Sequence, residues 1–213
     1  MVPATPLRHL LTLTVLGAGV LLLWVTRPRF DASLPGAQNG PSCLNNLRQI
    51  SRAYALYARD FDGKIALAVD PEDRFNRRIW APRIDEDTPY QNYLQNAPFL
   101  HVVLRPYVDS AQVFHCPADT GWTRSRLNYQ GLPDVRPSSF AKYGTSYYSW
   151  TIYGFNLNSV ADIENPARKT LLFDGDLWHG NEANPRAGEL FIDGHAEYLS
   201  QAQHEAFGPA RDF

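Results

Sequence analysis

The sequence predicts an α+β fold: an N-terminal transmembrane helix, then an amphipathic helix packed on a small antiparallel β-sheet. Three observations support this prediction. Leu10–Val25 is apolar and uncharged, and apolar side chains recur at helical spacing between Ser42 and Gly63. Near the C-terminus, Asp193-Gly194 separates two apolar segments, as in a two-residue hairpin turn. The 213 residues are enough for one domain with a core, plus appendages.

Residues 1–29 are predicted to anchor the chain in a membrane. A helix over Leu7–Thr26 would have about 20 residues and would match the hydrocarbon core of a bilayer, roughly 30 Å. Trp24 stands near one end of this segment, where interfacial aromatic side chains are common. The alternatives are a cleaved secretory signal and a helix buried in a soluble body. No small-residue cleavage site follows, because Thr26–Phe30 reads TRPRF.

Residues 30–42 are predicted to be a linker, since they are rich in Gly and Pro, and residues 43–213 to be an extracytoplasmic domain. Ser42 is a suitable N-cap for its first helix, and Gly63 a suitable terminator. The apolar residues of this helix recur every three or four positions: Leu44, Leu47, Ile50, Tyr54, Tyr57 and Phe61.

The remainder of the domain is predicted to alternate short elements with loops. Lys64–Pro98 is expected to be an irregular surface segment, and Leu100–Val108 a short helix. Aromatic and β-branched residues favour strands at Ser146–Phe155 and Thr170–Phe173. The last expected elements are the hairpin of Glu189–Ile192 with His195–Leu199, and a closing helical turn at Gln201–Phe207.

Composition and motifs argue against two classes of function. There are 22 acidic and 20 basic residues, so the chain lacks the basic surplus of a nucleic-acid-binding protein. It also lacks a Gly-x-Ser-x-Gly nucleophile motif and a phosphate-binding glycine loop. We therefore predict a protein that is not an enzyme and does not bind nucleic acid.

Cys43 and Cys116 are the only cysteines of the chain. Neither belongs to a Cys-x-x-Cys or Cys-x-x-Cys-His motif, so a zinc knuckle and a c-type haem site are excluded. In an anchored protein outside the cytosol, two cysteines most simply form one disulfide. The alternative is a pair of unrelated buried thiols.

Five residues near the C-terminus form a candidate metal site: Asp174, Asp176, His179, Asp193 and His195. Oxygen ligands alone would suit calcium, whereas mixed His and Asp ligands would suit zinc or another transition metal. The alternative is purely structural, because Asp and Gly are also the ordinary residues of turns.

Tyr148 and Trp150 alternate with Tyr147 and Ser149 in the predicted strand Ser146–Phe155, so they share one face of it. We expect the Tyr147 face to pack on the amphipathic helix. The Tyr148 face could then contact a glycan or a protein partner. The alternative is that both faces pack in the core.

Several segments resemble the pseudopilin-like proteins of type II secretion. Cys43–Ile65 resembles the helix that follows their membrane span, and Trp178–Leu199 resembles their C-terminal signature of a His, a spacer and Asp-Gly. The other similar segments are VFHCPAD at Val113–Asp119, SYYSWTIYGFN at Ser146–Asn156 and TLLFDGD at Thr170–Asp176. Thirteen residues separate His179 from Asp193, where the family has nine, and the prepilin leader motif is absent.

The resemblance implies a pilin-like, membrane-anchored structural protein with its soluble domain in the periplasm or outside the cell. Its partners would be the membrane and other proteins of a secretion or pilus-like assembly, and related pseudopilins bind calcium in a C-terminal loop. The apolar segment carries no acidic residue, which favours an accessory component over a filament subunit. The alternatives are a glycan- or metal-binding module, a metal-assisted enzyme, a polymerising pilin and another homo-oligomer.

Overall fold

The computed structural model describes residues 42–76, 89–127, 132–156 and 159–209, all within the unit Gly36–Phe213. The predicted anchor and all but the last residue of the predicted linker lie outside these ranges. Among the helices of the described ranges, none combines the length and apolar character needed to cross a bilayer.

The predicted amphipathic helix is present as α1, Cys43–Asp60. Ser42 caps it, since its Oγ accepts a hydrogen bond from Asn45 N–H at 3.2 Å. After the helix, Gly63 adopts a positive φ of 79°, and its N–H donates to Ala58 O at 2.7 Å. The predicted stripe is buried from Leu47 to Tyr57, whereas Leu44 is partly buried and Phe61 is exposed.

The predicted antiparallel sheet is also present. Its strands are β1 (Tyr147–Ser149), β2 (Thr170–Asp174), β3 (His179–Asn181), β4 (Asn184–Phe191) and β5 (Ala196–Leu199). β1 pairs with β2, and β4 pairs with β2, β3 and β5, all in antiparallel register. β4 and β5 form the predicted hairpin around Asp193-Gly194. β4 therefore connects the whole sheet.

Neighbouring residues of β4 show that both faces of the sheet are covered. A Cβ at Gly188 would lie 3.3 Å from Leu47 Cδ1 of α1, so this position faces α1. Glu189 points to the other face. Its Oε1 lies 2.8 Å from His204 Nδ1. His204 belongs to the last helix, α7 (Gln201–Phe207), which is the predicted closing helix.

The face of the sheet opposite α1 also packs against segments 122–127 and 132–135. The buried apolar residues of this second cluster are Trp122, Leu127, Leu132, Val135, Tyr148, Phe173, Leu177 and Ala187. A β-strand covered on both sides loses the alternation of buried and exposed residues. Accordingly, the last five residues of β4 are all buried.

The remaining helices are short. They are α2 (Pro71–Phe75), α3 (Pro89–Asn96), α4 (Leu100–Val103), α5 (Ser139–Tyr143) and α6 (Thr151–Phe155). Two predictions need correction here. The segment Lys64–Pro98 contains α2 and α3, so it is not irregular throughout. The strand predicted at Ser146–Phe155 ends at Ser149 and continues as α6.

Candidate functional site

The disulfide predicted from the cysteine count is confirmed. It joins Cys43 to Cys116 across a sequence separation of 73 residues, with the two Cα atoms 4.8 Å apart. Both residues are buried in the main core, which is the apolar cluster between α1 and the sheet. The alternative of two unrelated thiols is therefore wrong for this structure.

Hydrogen bonds hold both ends of the disulfide in place. Cys43 is the first residue of α1, and the side-chain amide of Asn46, one turn later, donates to His115 O at 2.7 Å. Cys116 N–H donates to Ser146 Oγ at 3.0 Å. The start of α1 is therefore attached to the segment around Cys116 by hydrogen bonds as well as by the covalent bond.

A buried carboxylate and a histidine lie beside the disulfide. Asp174 ends β2, and its Oδ2 accepts a hydrogen bond from Gly188 N–H at 2.5 Å and lies 3.0 Å from His179 Nε2. The same nitrogen is 3.5 Å from Cys116 Sγ. The ring of His179, whose side chain is 14% exposed, packs against Tyr198 with 4.4 Å between ring centroids.

We refer to Cys43, Cys116, Asp174 and His179 as the Cys–Asp–His cluster. One potential ligand atom from each of the four residues lies within 4.8 Å of the others. Asp174 is fully buried, and its Oδ1 has no hydrogen-bond partner among the described residues. A buried acceptor without a donor is costly, because it has lost its contacts with water.

Burial raises the pKa of Asp174, although the hydrogen bonds from His179 and Gly188 N–H favour its charged form. Burial also raises the pKa of the Tyr147 phenol, and the neighbouring Asp174 adds to this shift. The cluster is thus a poorly solvated environment for negative charge. A positively charged ligand would relieve this cost.

The five residues predicted to bind a metal are found in three places. Asp174 and His179 are together in the Cys–Asp–His cluster. Asp176 instead accepts a hydrogen bond from Arg126 N–H at 2.6 Å and forms an ion pair with the guanidinium group of that residue. These contacts occupy the Asp176 carboxylate.

Asp193 and His195 form a separate pair in the β4–β5 turn. Asp193 Oδ1 lies 2.6 Å from His195 Nδ1, and it also accepts a hydrogen bond from His195 N–H at 3.1 Å. The His195 ring stacks on Phe191. This geometry corresponds to the structural alternative, in which Asp and Gly shape the turn, and the five residues do not share one binding site.

The two residues predicted to contact a ligand pack inside the protein. Tyr148 is 2% exposed, and its phenol oxygen lies 3.3 Å from Ser139 Oγ. Trp150 is partly buried, its Nε1 donates to Thr170 Oγ1 at 2.9 Å, and its ring stacks on His204. These residues therefore correspond to the alternative, in which both faces pack in the core, because the second face of the sheet is covered.

Asp119 is a key buried residue that the sequence analysis did not single out. Its two carboxylate oxygens accept four hydrogen bonds: from the N–H groups of Gly121, Ser139 and Phe140 and from Ser146 Oγ, at 2.7 to 3.0 Å. Ser146 is also the acceptor for Cys116 N–H, so Asp119 supports the disulfide indirectly. The available signal was the VFHCPAD segment, which ends in this residue.

A second buried carboxylate–histidine pair, Glu189 and His204, was also missed. Both residues are buried, and Glu189 Oε2 has no hydrogen-bond partner within the described part of the chain. Burial raises the pKa of Glu189, and the contact with His204 partly opposes this shift. The signal in the sequence was a charged residue inside an apolar strand.

Glu189 should make the protein less stable as the pH rises. The Glu189 carboxyl has a higher pKa in the folded protein than in the unfolded chain, where its pKa is near 4.5. Between these two values the folded state binds more protons, so the free energy of unfolding falls with rising pH. Glu189→Gln should flatten this part of the stability–pH curve, as measured by urea unfolding at a series of pH values.

The charged groups around Glu189 are His204, Asp174 and Glu197. As a control, Glu182→Gln alters an exposed carboxyl that is not among these groups and should retain the wild-type slope. Equal slopes for Glu189→Gln and wild type would contradict the assignment.

Compared with models of known protein families, with curated proteins and with solved structures, the chain shows no match. The resemblance to pseudopilin-like proteins therefore remains a prediction from the sequence motifs.

Proposed function

We propose that this protein is a membrane-tethered scaffold whose domain lies outside the cytoplasm and acts by protein–protein contact in a secretion or pilus-like assembly. The observation that carries the proposal is the position of the disulfide. Cys43 is the first residue of α1, so the covalent link lies at the point where the N-terminal segment enters the described domain.

This position suits a tethered protein. A force on the N-terminal segment would reach α1 first, and α1 is held on the sheet by non-covalent packing. The disulfide transfers such a force directly from Cys43 to Cys116, in a different part of the core. The tether would therefore be less able to peel α1 from the sheet.

The redox state supports a location outside the cytoplasm. Both cysteines of the chain are in the disulfide, and disulfides persist mainly in oxidising compartments. The segment Leu7–Thr26, which contains the apolar, uncharged Leu10–Val25, precedes the domain and has the length of a membrane span. Together these features favour a domain attached to the outer side of a membrane.

The architecture is consistent with a role in protein contact. α1 packs one side on the antiparallel sheet, which is the arrangement that the resemblance to pseudopilin-like proteins implies. Its opposite side exposes Gln49, Arg52, Leu56 and Arg59 to solvent. This side is available to a neighbouring protein.

Fractionation of cells that express the full chain tests the proposal. The wild-type protein should stay in the membrane fraction and become alkylated at both cysteines only after reduction. Leu16→Arg combined with Leu21→Arg should release it, since each charge near the centre of a membrane helix costs about 2.5–3.5 kcal/mol. The matched control, Thr5→Arg, adds a charge outside the apolar segment and should remain in the membrane.

Crosslinking followed by purification in detergent would then test for the expected partner. A defined partner protein should be recovered together with the wild-type chain. The variant Arg52→Glu reverses a charge on the exposed side of α1 and should reduce that recovery. A freely soluble wild-type chain with reduced thiols would refute the proposal. Filaments of the extracted protein in electron micrographs would favour the polymerising pilin instead.

A further inference from the structure

We propose that the Cys–Asp–His cluster becomes a zinc site when its disulfide is reduced, with Cys43, Cys116, His179 and Asp174 as the four ligands. Two thiolates, an imidazole nitrogen and a carboxylate oxygen are all established zinc ligands, and structural zinc sites are four-coordinate and tetrahedral. This inference does not depend on the proposed function.

The distances within the cluster already approach those of a tetrahedral site. With the usual zinc–ligand lengths, a sulfur and a nitrogen ligand lie about 3.5 Å apart, and a nitrogen and an oxygen ligand about 3.4 Å apart. The corresponding distances here are 3.5 Å for Cys116 Sγ to His179 Nε2 and 3.0 Å for His179 Nε2 to Asp174 Oδ2.

Only the two sulfur atoms must move appreciably. In a tetrahedral zinc site they would be about 3.8 Å apart instead of bonded to each other. The Cα atoms are 4.8 Å apart, so rotation of the Cys43 and Cys116 side chains is enough to separate the sulfurs. His179 and Asp174 can keep their places on β3 and β2.

The unpaired oxygen of Asp174 is an independent observation that points to a cationic ligand. This residue is fully buried, and its Oδ1 has no hydrogen-bond donor within the described ranges. The hydrogen bonds that this carboxylate accepts from described residues come from one imidazole and one backbone N–H. A divalent cation beside it would place a compensating positive charge next to this buried carboxylate.

The exchange of disulfide for metal balances chemically. A dithiol reductant supplies two electrons and two protons, becomes a disulfide itself, and converts Cys43–Cys116 into two thiols. Zinc then displaces both thiol protons, which pass to the solvent, and the His179 imidazole binds through Nε2 as the tautomer that carries its proton on Nδ1. The metal would link the same two points of the chain as the disulfide, so the start of α1 would stay fixed to the core in a reducing compartment.

Zinc binding to the full-length chain in detergent tests this inference. The protein is reduced with a phosphine, freed of metal and titrated with Zn²⁺ against a chromophoric chelator. We expect one tightly bound Zn²⁺ per reduced chain. With Co²⁺ as a probe, we expect thiolate-to-metal charge-transfer bands and the intense visible bands of tetrahedral coordination.

Four proteins serve as comparisons. His179→Gln and Asp174→Asn should each weaken zinc binding at least about tenfold. Removal of a group that only supports a metal ligand already weakens binding by about this factor, so the loss of a ligand itself should cost at least as much. Oxidised wild type should bind at least as weakly as these variants. The control His195→Gln changes a partly exposed histidine of the separate turn pair and should bind like reduced wild type.

The Co²⁺ spectrum of wild type also decides the question if a variant misfolds. A spectrum without thiolate bands or without tetrahedral bands would overturn the inference. Equal zinc affinity of reduced and oxidised wild type would overturn it as well. So would unchanged affinity in His179→Gln, because the thiols would then bind metal without the rest of the cluster.

Discussion

Replacing both cysteines with serine should lower the free energy of unfolding by about 4 kcal/mol. The disulfide closes a loop with a sequence separation of 73 residues, and its main effect is to reduce the conformational freedom of the unfolded chain. Urea unfolding of Cys43→Ser/Cys116→Ser, compared with wild type in oxidising, metal-free buffer, measures this loss.

Reductant provides the matched control for this measurement. It should destabilise wild type by a similar amount and leave the double variant unchanged. If the double variant loses less than about 1 kcal/mol, the crosslink does not constrain the unfolded chain as the loop-entropy model requires.

Asp119→Ala should be nearly as damaging, with a loss of about 3 kcal/mol or more in unfolding free energy. The change leaves the N–H groups of Gly121, Ser139 and Phe140 without their acceptor, and each buried unpaired group costs about 1–3 kcal/mol. It also removes the acceptor of the Ser146 hydroxyl.

Two variants give this prediction its controls. Asp119→Asn keeps one oxygen acceptor and should lose less stability than Asp119→Ala. Asp109→Ala removes an exposed carboxyl of the same type and should change stability by no more than about 0.5 kcal/mol. Thermal and urea unfolding both report these differences, and equal stabilities of the Asp119 and Asp109 alanine variants would contradict the role assigned to Asp119.

The elements that were predicted well are those with local signals. α1 has a serine cap, an apolar stripe and a terminal glycine, all of which can be read within about twenty residues of sequence. The β4–β5 hairpin was likewise marked by Asp193-Gly194. In both cases the structure that the local backbone prefers is also the one that buries the apolar side chains.

The segment after Ser149 shows why a local signal can fail. Its aromatic and β-branched residues favour a strand, yet the chain turns into α6. There Thr151 Oγ1 accepts a hydrogen bond from Asp70 N–H at 3.2 Å, and a Cβ at Gly154 would lie 2.5 Å from Ala66 O. These contacts with a distant part of the chain outweigh intrinsic strand propensity.

The candidate site could be predicted only in part for the same reason. The cysteines and the Asp174–His179 pair were each identified, but their proximity depends on the pairing of β4 with both β2 and β3. Sequence spacing gave equal reason to group His179 with Asp193. The strand register places His179 beside Cys116 instead, 63 positions away in the chain.

The helix α1 and the strand β4 pack against each other although they are far apart in sequence, and this has a consequence for biosynthesis. The helix α1 ends at Asp60 and its partner strand β4 begins at Asn184, so the main core cannot close until the long segment between them has left the ribosome. Both cysteines emerge well before β4. During vectorial synthesis the nascent chain therefore passes through a stage in which its sulfurs can meet while the sheet that will enclose them does not yet exist.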